Sequence, residues 1–326
     1  MKALTFNPAS DAFSLRELPV PAPGPGDVLV KVAACGLNPV DAKISLWKDM
    51  VPDMDANWTP GLDVAGEIVA AGEGVSGWKI GDRVLYHGNM LRPHGGLAEF
   101  SIHKAATLIP HPPVAPAIAA ATPCAGWTAW RALHDKLRLT DGLSFLVTGG
   151  SGGVGGFAIQ IAWAIGVRSI ITTCSAKNHE YVRSLGATHA IDYRAEDVAA
   201  RVLEITDGRG VDRALDTVGP EEDLVVAECL AFEGELVELV DVVRPSEYRD
   251  VFSRSLSFHQ LALGAGHRAG PSAEANIVRA GLACCRMLAD GGLSVPALET
   301  ISLEQAGDRL VGIRNRRSVG KTVVVF

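Results

Sequence analysis

The sequence predicts an α/β protein of two domains, a β-rich domain at the N-terminus followed by a doubly wound parallel sheet. A chain of 326 residues is long enough for two domains of ordinary size. Before about position 122, apolar and polar side chains alternate between glycine- and proline-rich turns, as in a small, strongly curved sheet or barrel. After position 123, apolar strands alternate with amphipathic helices, which is typical of a parallel sheet with right-handed crossovers.

Within the β-rich domain, the segments 28–33 and part of 62–71 alternate with a period of two. Turn signals at 21–27, 72–82 and 94–96 separate these strands. The second domain begins with an apolar run at 143–148, followed by a helix over 154–165, a β-branched strand Ser169–Cys174 and a helix at 178–185. Later strands are expected at Ala190–Ile191, Val211–Asp216, Glu235–Val240 and Leu256–Leu263, with helices near 195–206 and 221–230 between them.

The tail predicts two helices, near 272–290 and 303–313, and a closing strand at Lys321–Phe326 that returns to the first domain. The sequence therefore predicts one domain from residues 1–122 with 266–326, and another from residues 123–265.

The composition argues against several classes of function and location. The net charge of −7, from 30 basic and 37 acidic residues, argues against nucleic-acid or membrane-surface binding. Six dispersed cysteines without a C-x-x-C pair indicate reduced thiols, and the first residues lack the apolar core of a signal peptide. The charge-free segments 105–130 and 142–167 contain five prolines and eight glycines respectively, so neither predicts a spanning helix. We expect a cytoplasmic protein.

A glycine-rich turn stands between the strand at 143–148 and the helix that follows it. It matches G-x-G-x-x-G in the context that dinucleotide binding requires. The glycines allow the backbone to approach a pyrophosphate, and the helix N-terminus offers unpaired N–H donors. The alternative is a turn that binds nothing. The residues are Gly150, Ser151, Gly152, Gly153, Val154 and Gly155.

The end of the next strand distinguishes NAD from NADP. An NAD-binding fold of this kind usually places an acid there to hold the ribose 2′-hydroxyl. Here Ser175 and Lys177 follow the strand, and the next carboxylate is Glu180. A hydroxyl and an ammonium attract a 2′-phosphate, so the sequence favours NADPH, with Tyr193 and Arg194 as further contacts. The alternative is that Ser175 caps a helix and Lys177 is solvated.

Several motifs along the chain, in this order, resemble the quinone oxidoreductase branch of the medium-chain dehydrogenase/reductase superfamily. Each motif alone is weak, but together they cover most of the chain. They are GLNPVD at 36–41, GLDVAGE at 61–67, GDRV at 81–84, GGLAEF at 95–100, AGWTAW at 125–130 and the glycine turn.

The resemblance implies a GroES-like catalytic domain, built from the N-terminal part and the tail, around a Rossmann domain, with the active site in the cleft. Members of this family are commonly dimers or tetramers, and we expect a homodimer. The resemblance also supports Ser175, Lys177 and Tyr193 as 2′-phosphate contacts. We also expect Thr217, at the end of a Rossmann strand, and Lys321, in the tail, to approach the cofactor. The basic residues 314, 316 and 317 are interpreted as a solvated surface.

Zinc-dependent relatives have metal ligands at three positions of this pattern. Here Asn38 and Leu62 occupy two of them, and only Cys124 retains a thiol. Leucine cannot ligate zinc and an asparagine amide is a poor ligand, so no metal is predicted. The histidines at 87, 94, 103 and 111 are too evenly spread for a ligand set.

Without a metal, hydride delivery to a quinone or an α,β-unsaturated carbonyl is the least demanding reaction, because conjugation spreads the developing charge. The candidate catalytic residues are Lys43, as a donor to the substrate oxygen, and Asn38 and Thr128, which the resemblance places beside the nicotinamide. A solvated Lys43 is the alternative. The sequence thus predicts an NADPH-dependent quinone or enone oxidoreductase with a small-molecule substrate. Alternatives are a zinc-type alcohol dehydrogenase relative and a non-catalytic, crystallin-like NADPH-binding protein.

Overall fold

A computed structural model describes residues 1–315 and 319–326, and these residues form two units. The antiparallel unit comprises Met1–Trp127, Leu263–Gly291 and Ala297–Phe326. The parallel-sheet unit comprises Thr128–Ala262 and Gly292–Pro296. Among the described residues, no helix is long and apolar enough to cross a membrane.

The strands, in chain order, are Lys2–Asn7 (β1), Ala12–Glu17 (β2), Asp27–Leu37 (β3), Asp63–Ala71 (β4), Arg83–His87 (β5), Phe100–Lys104 (β6), Ile109–Pro110 (β7), Ser144–Val147 (β8), Ser169–Cys174 (β9), His189–Asp192 (β10), Val211–Asp216 (β11), Leu230–Glu238 (β12), Ser257–Gln260 (β13), Leu298–Ile301 (β14) and Lys321–Val325 (β15). The α-helices are Pro39–Ala42 (α1), Pro116–Ala120 (α2), Thr128–Arg131 (α3), Gly153–Ile165 (α4), His179–Ser184 (α5), Val198–Ile205 (α6), Glu222–Cys229 (α7), Pro271–Ala289 (α8) and Leu303–Arg314 (α9).

The antiparallel unit is built around the long strand β3, which pairs with β4, β6 and β15. Its sheet runs in the order β14-β15-β3-β4-β5-β7. The predicted alternation appears in β3, where Val28, Val30 and Val32 are buried and Lys31 is exposed. The closing strand β15 lies antiparallel to β3, so the tail completes the sheet of the N-terminal segment.

The parallel-sheet unit carries six parallel strands in the order β10-β9-β8-β11-β12-β13. The order reverses between β8 and β11, and ligands of such sheets bind at the carboxyl ends beside this point. The strands β9 and β11 have the predicted bounds. The doubly wound fold is confirmed. The β1–β2 hairpin and β14 were not predicted; β2 is mostly exposed, and exposed short strands carry a weak apolar signal.

Candidate functional site

The glycine turn of the parallel-sheet unit joins β8 to α4. A Cβ at Gly150 would lie 2.1 Å from the Thr172 hydroxyl oxygen, and one at Gly155 would lie 2.4 Å from the carbonyl oxygen of Gly149. Gly149 itself has a φ of +65°, which favours glycine. The glycines are therefore required by close backbone packing, and the turn lies at the carboxyl edge of the sheet.

Helix α4 begins at Gly153 with Gly152 as its N-cap, and within the described structure no side chain caps it. Its first N–H groups therefore have no intrahelical acceptor and can donate to an anion. Ser151 and Val154 are partly exposed at this end. A cradle of bare backbone in front of a helix N-terminus fits the pyrophosphate of a dinucleotide.

The residues predicted to contact a 2′-phosphate follow the ends of two adjacent strands. Cys174 at the end of β9 pairs in register with Asp192 at the end of β10, so Ser175 and Tyr193 start from neighbouring positions. Lys177 is exposed, and Tyr193 is 50% exposed.

Two further observations concern the residues at the carboxyl ends of β9 and β10. Ser175 begins the short 3-10 helix Ala176–Asn178 without capping it, and its hydroxyl accepts a hydrogen bond from the Asn178 amide at 3.2 Å. Asp192 lies far from β9 in the linear sequence, but strand pairing places its carboxylate beside Cys174. Burial and the Asp192 charge raise the pKa of the Cys174 thiol to about 11.

Thr217 connects β11 to the start of the glycine turn. Its N–H donates to the Thr148 hydroxyl at 3.0 Å, and its own hydroxyl donates to the Thr148 carbonyl at 2.7 Å. This pair fixes the two strand ends on either side of the point where the strand order reverses. Thr128, the first residue of α3, is 7% exposed.

The antiparallel unit contains a buried polar cluster around Asn38. The Asn38 amide donates to an Asp63 oxygen at 2.9 Å, and its carbonyl oxygen accepts from the Lys321 ammonium. Lys321 also donates to the Leu37 carbonyl at 3.1 Å and lies 3.7 Å from Asp63. Exposed fractions of 1% for Asn38, 0% for Asp63 and 4% for Lys321 place the cluster inside the unit.

Asp41 joins this cluster to the neighbouring turn. Its two carboxylate oxygens accept from the N–H groups of Asn38, at 2.9 Å, and Gly61, at 3.2 Å. Burial and the nearby Asp63 carboxylate raise the pKa of Asp41 to about 7. Burial also raises the pKa of Asp63 to about 6, although the Lys321 ammonium opposes that shift.

This geometry revises two of the site predictions. Both ends of the Asn38 side chain are engaged within the unit, so Asn38 has no amide hydrogen available for a substrate oxygen. The Lys321 ammonium points into the same cluster, which does not fit a role in holding the cofactor. Lys43 is half-buried at the end of α1, and its catalytic role stays a prediction. Arg314 pairs with Asp11 at 2.9 Å, whereas residues 316 and 317 lie outside the described residues.

The family resemblance places zinc ligands at Asn38, Leu62 and Cys124, and of these Asn38 belongs to this cluster. Leu62 is buried at 5% exposure, and burial together with the Asp63 carboxylate raises the Cys124 thiol pKa well above its usual range. The Lys321 ammonium already supplies the positive charge beside Asp63. Across the described residues there is no group of three or more metal-ligating side chains. The residues present do not fit a catalytic zinc ion.

A pocket opens within the antiparallel unit beside this cluster. Aromatic side chains of Trp47, Trp58 and Tyr86 line it. The Tyr86 hydroxyl is engaged by Ser101 at 2.5 Å, so this tyrosine contributes an apolar face rather than a free hydroxyl. Polar lining is provided by Asp41, Asn89, Arg92 and His94. Sequence reasoning did not bring these residues together in one pocket, because they come from separate segments without a common motif.

A sheet of this order with a glycine cradle at its reversal point, preceded by a separate antiparallel unit, defines a dehydrogenase-type fold. Family comparisons agree: residues 24–113 match the alcohol dehydrogenase GroES-like domain, and residues 153–262 match the zinc-binding dehydrogenase domain. The chain belongs to the quinone oxidoreductase branch of the medium-chain dehydrogenase/reductase superfamily.

Individual relatives show the same branch. The chain is 37% identical over 232 residues to a chloroplast envelope quinone oxidoreductase homolog of Arabidopsis thaliana, covering 68% of this chain and 69% of the relative. The crystal structure of a Pseudomonas syringae quinone oxidoreductase superposes with a TM-score of 0.87 at 28% identity, covering 100% of this chain and 99% of the other. A phthioceranic/hydroxyphthioceranic acid synthase of Mycobacterium tuberculosis is 32% identical over 312 residues; the match spans 93% of this chain but 14% of that protein.

Proposed function

We propose that this protein is an NADPH-dependent oxidoreductase that transfers hydride to a quinone or an α,β-unsaturated carbonyl without a catalytic metal. The observation that carries the proposal is the glycine turn, whose close packing leaves bare backbone in front of an uncapped helix N-terminus. Membership of the quinone oxidoreductase branch supports the redox chemistry.

The residues of the parallel-sheet unit suggest how the cofactor is held. The backbone N–H groups of the turn at 150–155 donate to the pyrophosphate, and Ser175 and Lys177 contact the 2′-phosphate with Tyr193 beside them. When bound, the nicotinamide supplies the hydride, and the protein orients the reactants and excludes water.

Cofactor preference gives a first prediction. We expect NADPH to bind more tightly than NADH, and Lys177→Ala to lose roughly 1–3 kcal/mol of NADPH affinity while leaving NADH affinity unchanged. Arg168→Ala is the matched control, because Arg168 is exposed just before the opposite end of the same strand, β9. Titration of each variant with both cofactors measures the difference, and equal wild-type affinities for the two would refute the assignment.

The pocket of the antiparallel unit supports a flat, conjugated substrate. Indole and phenol rings from Trp47, Trp58 and Tyr86 provide an apolar lining. A quinone and an enone share the electron-poor carbon–carbon bond conjugated to a carbonyl, and hydride addition to it places the charge on oxygen. That oxygen needs a hydrogen-bond donor rather than a metal. Lys43, next to the pocket residue Ile44, stays our candidate donor.

The activity test uses NADPH with 1,2-naphthoquinone, with an α,β-unsaturated ketone and with the matching saturated ketone. We expect NADPH oxidation with the first two and none with the third. Turnover of only the saturated ketone would favour an alcohol dehydrogenase instead. NADPH binding without turnover of any substrate would favour the non-catalytic, crystallin-like alternative. The proposed homodimer is tested separately by native mass measurement.

Metal independence gives a further prediction. Because Leu62 stands at a zinc-ligand position of the family and the Lys321 ammonium lies 3.7 Å from Asp63, we expect far less than one zinc per chain after purification without added metal. We also expect a chelator to leave the rate of NADPH oxidation unchanged. Stoichiometric zinc that survives dialysis, with activity lost on its removal, is the opposite result.

A further inference from the structure

Two acidic side chains face each other at the carboxyl edge of the parallel sheet. Asp216 ends β11 and Glu238 ends β12, and the two residues are direct partners in the parallel register. Both are buried, with exposed fractions of 0% and 1%. Neither side chain has a role in the proposed function described above.

One oxygen of each carboxyl group holds the backbone that leaves its strand. Asp216 Oδ1 accepts from the Thr148 hydroxyl at 2.5 Å and from the Val218 N–H at 2.9 Å. Glu238 Oε1 accepts from the N–H groups of residues 240 and 241, at 2.7 and 2.9 Å. Thr148 directly precedes the glycine turn. The pair therefore connects the ends of β8, β11 and β12, where a dinucleotide is expected to lie.

The remaining oxygens, Asp216 Oδ2 and Glu238 Oε2, are buried and have no donor among the described residues. The two residues are register partners on adjacent parallel strands, so their carboxyl groups lie side by side at this buried edge. Two ionised carboxylates that are adjacent and buried repel each other, and neither can donate a hydrogen bond, so this placement favours a pair that carries one proton.

The groups that face the pair from α7 and from the segment after β12 do not neutralise its negative charge. From α7, the Glu222 charge raises the pKa of Asp216 further. From the segment after β12, Tyr248 donates its hydroxyl to Asp223 at 2.8 Å, and Arg244 binds the same Asp223 carboxylate at 2.6 Å. The surroundings therefore favour a shared proton over two negative charges.

We propose that the Asp216–Glu238 pair holds one proton and positions the three strand ends that bind the cofactor, so that loss of the proton weakens NADPH binding. This proposal rests on the proposed NADPH-dependent function. Both residues are positioning residues, because they act through Thr148 and the N–H groups of the loops. Without the proton, two adjacent buried carboxylates repel each other and pull those loops apart.

The titration range supports this role. Burial, followed by the Asp216 carboxylate, raises the pKa of Glu238 to about 8. The folded protein therefore keeps the proton at neutral pH and loses it as the pH rises through about 8. A raised carboxyl pKa means that the folded state binds more protons than the unfolded state, so stability falls with rising pH between the unfolded value and about 8.

The test measures the dissociation constant of NADPH between pH 6.5 and about 9.5 for the wild type, Glu238→Gln and Asp216→Asn. The wild-type constant is expected to rise about tenfold per pH unit above the pKa of the pair. Glu238→Gln retains a hydrogen-bond donor but has no titrating proton, so its constant should stay level over the same range. Glu228→Gln, an exposed carboxyl of α7, is the matched control and should follow the wild type.

Parallel slopes in the wild type and Glu238→Gln, or a flat wild-type profile, would overturn the proposal. If Glu238→Gln does not fold, Asp216→Asn provides the same comparison. If NADPH binds at no pH, the proposed function has failed, and thermal unfolding without cofactor still tests the pair. The stability of the wild type relative to Glu238→Gln should then fall from about pH 5 to about pH 8, and a constant difference would reject the shared proton.

Discussion

Gly152→Val is expected to abolish NADPH binding while the protein stays folded. Gly152 has ordinary extended backbone angles, with a φ of −81°, and an added Cβ would lie 3.2 Å from the Gly149 carbonyl oxygen, a contact that small shifts relieve. The side chain would instead fill the space in front of α4. Loss of several charge-assisted hydrogen bonds, at roughly 1.5–3 kcal/mol each, predicts at least about a hundredfold weaker binding. Cofactor titration measures the loss.

Gly155→Val should differ in one respect. A Cβ there would lie 2.4 Å from the Gly149 carbonyl oxygen and 2.8 Å from the Gly150 Cα, both of which are backbone atoms that cannot rotate away. We therefore expect loss of binding and also a thermal destabilisation of about 1–3 kcal/mol or more. Gly142→Val is the control, because Gly142 has open space around its Cβ position. Normal NADPH binding by Gly152→Val would mean that this turn is not the pyrophosphate site.

Lys321→Ala is expected to lower the free energy of unfolding by about 3–5 kcal/mol. Removal of the ammonium leaves the Asp63 carboxylate buried beside Asp41 without a cation, and breaking a buried pair on one side typically costs this much. Denaturant titration of the protein without cofactor measures the change.

Two variants test the cause of this loss. Lys2→Ala removes an exposed pair with Glu304 in the same unit, where the side chains are 48% and 52% exposed, so the free energy of unfolding should stay close to that of the wild type. Adding Asp63→Asn to Lys321→Ala removes the uncompensated charge and should restore part of the stability. A loss below about 1 kcal/mol for Lys321→Ala, or no recovery in the double variant, would show that the cluster is not held by its charges.

The local pattern was sufficient for much of the fold. Strand Ser169–Cys174 has the predicted bounds, because a continuous β-branched and apolar run is typical of a strand buried on both faces. Strand Val211–Asp216 also has the predicted bounds, although Asp212 and Arg213 interrupt its apolar residues. Helix α4 begins one residue before the predicted helix, because the glycine turn defines its start. The β1–β2 hairpin was missed, since most of β2 is exposed and carries no apolar alternation.

Only part of the candidate site could be predicted from the sequence. The glycine turn is a contiguous motif, so its position could be derived from spacing alone. The family resemblance placed Asn38 beside the nicotinamide, but its side-chain amide is engaged by partners 25 and 283 residues away in the chain. Lys321 was assigned to the cofactor on the same kind of argument. Linear order does not show which donors are already satisfied.

By itself, the sequence determined the two-part α/β organisation, the quinone oxidoreductase resemblance and the position of the glycine turn, because periodicity and short motifs act over neighbouring residues. Only the tertiary structure decided which side chains are free and which are engaged. It turned Asn38 and Lys321 inward onto Asp63, brought Asp192 beside Cys174, and placed Asp216 opposite Glu238. Each of these contacts depends on the pairing of segments that are distant in the chain, so no local sequence pattern predicts it. Burial at these contacts changes the free energy of the charged groups.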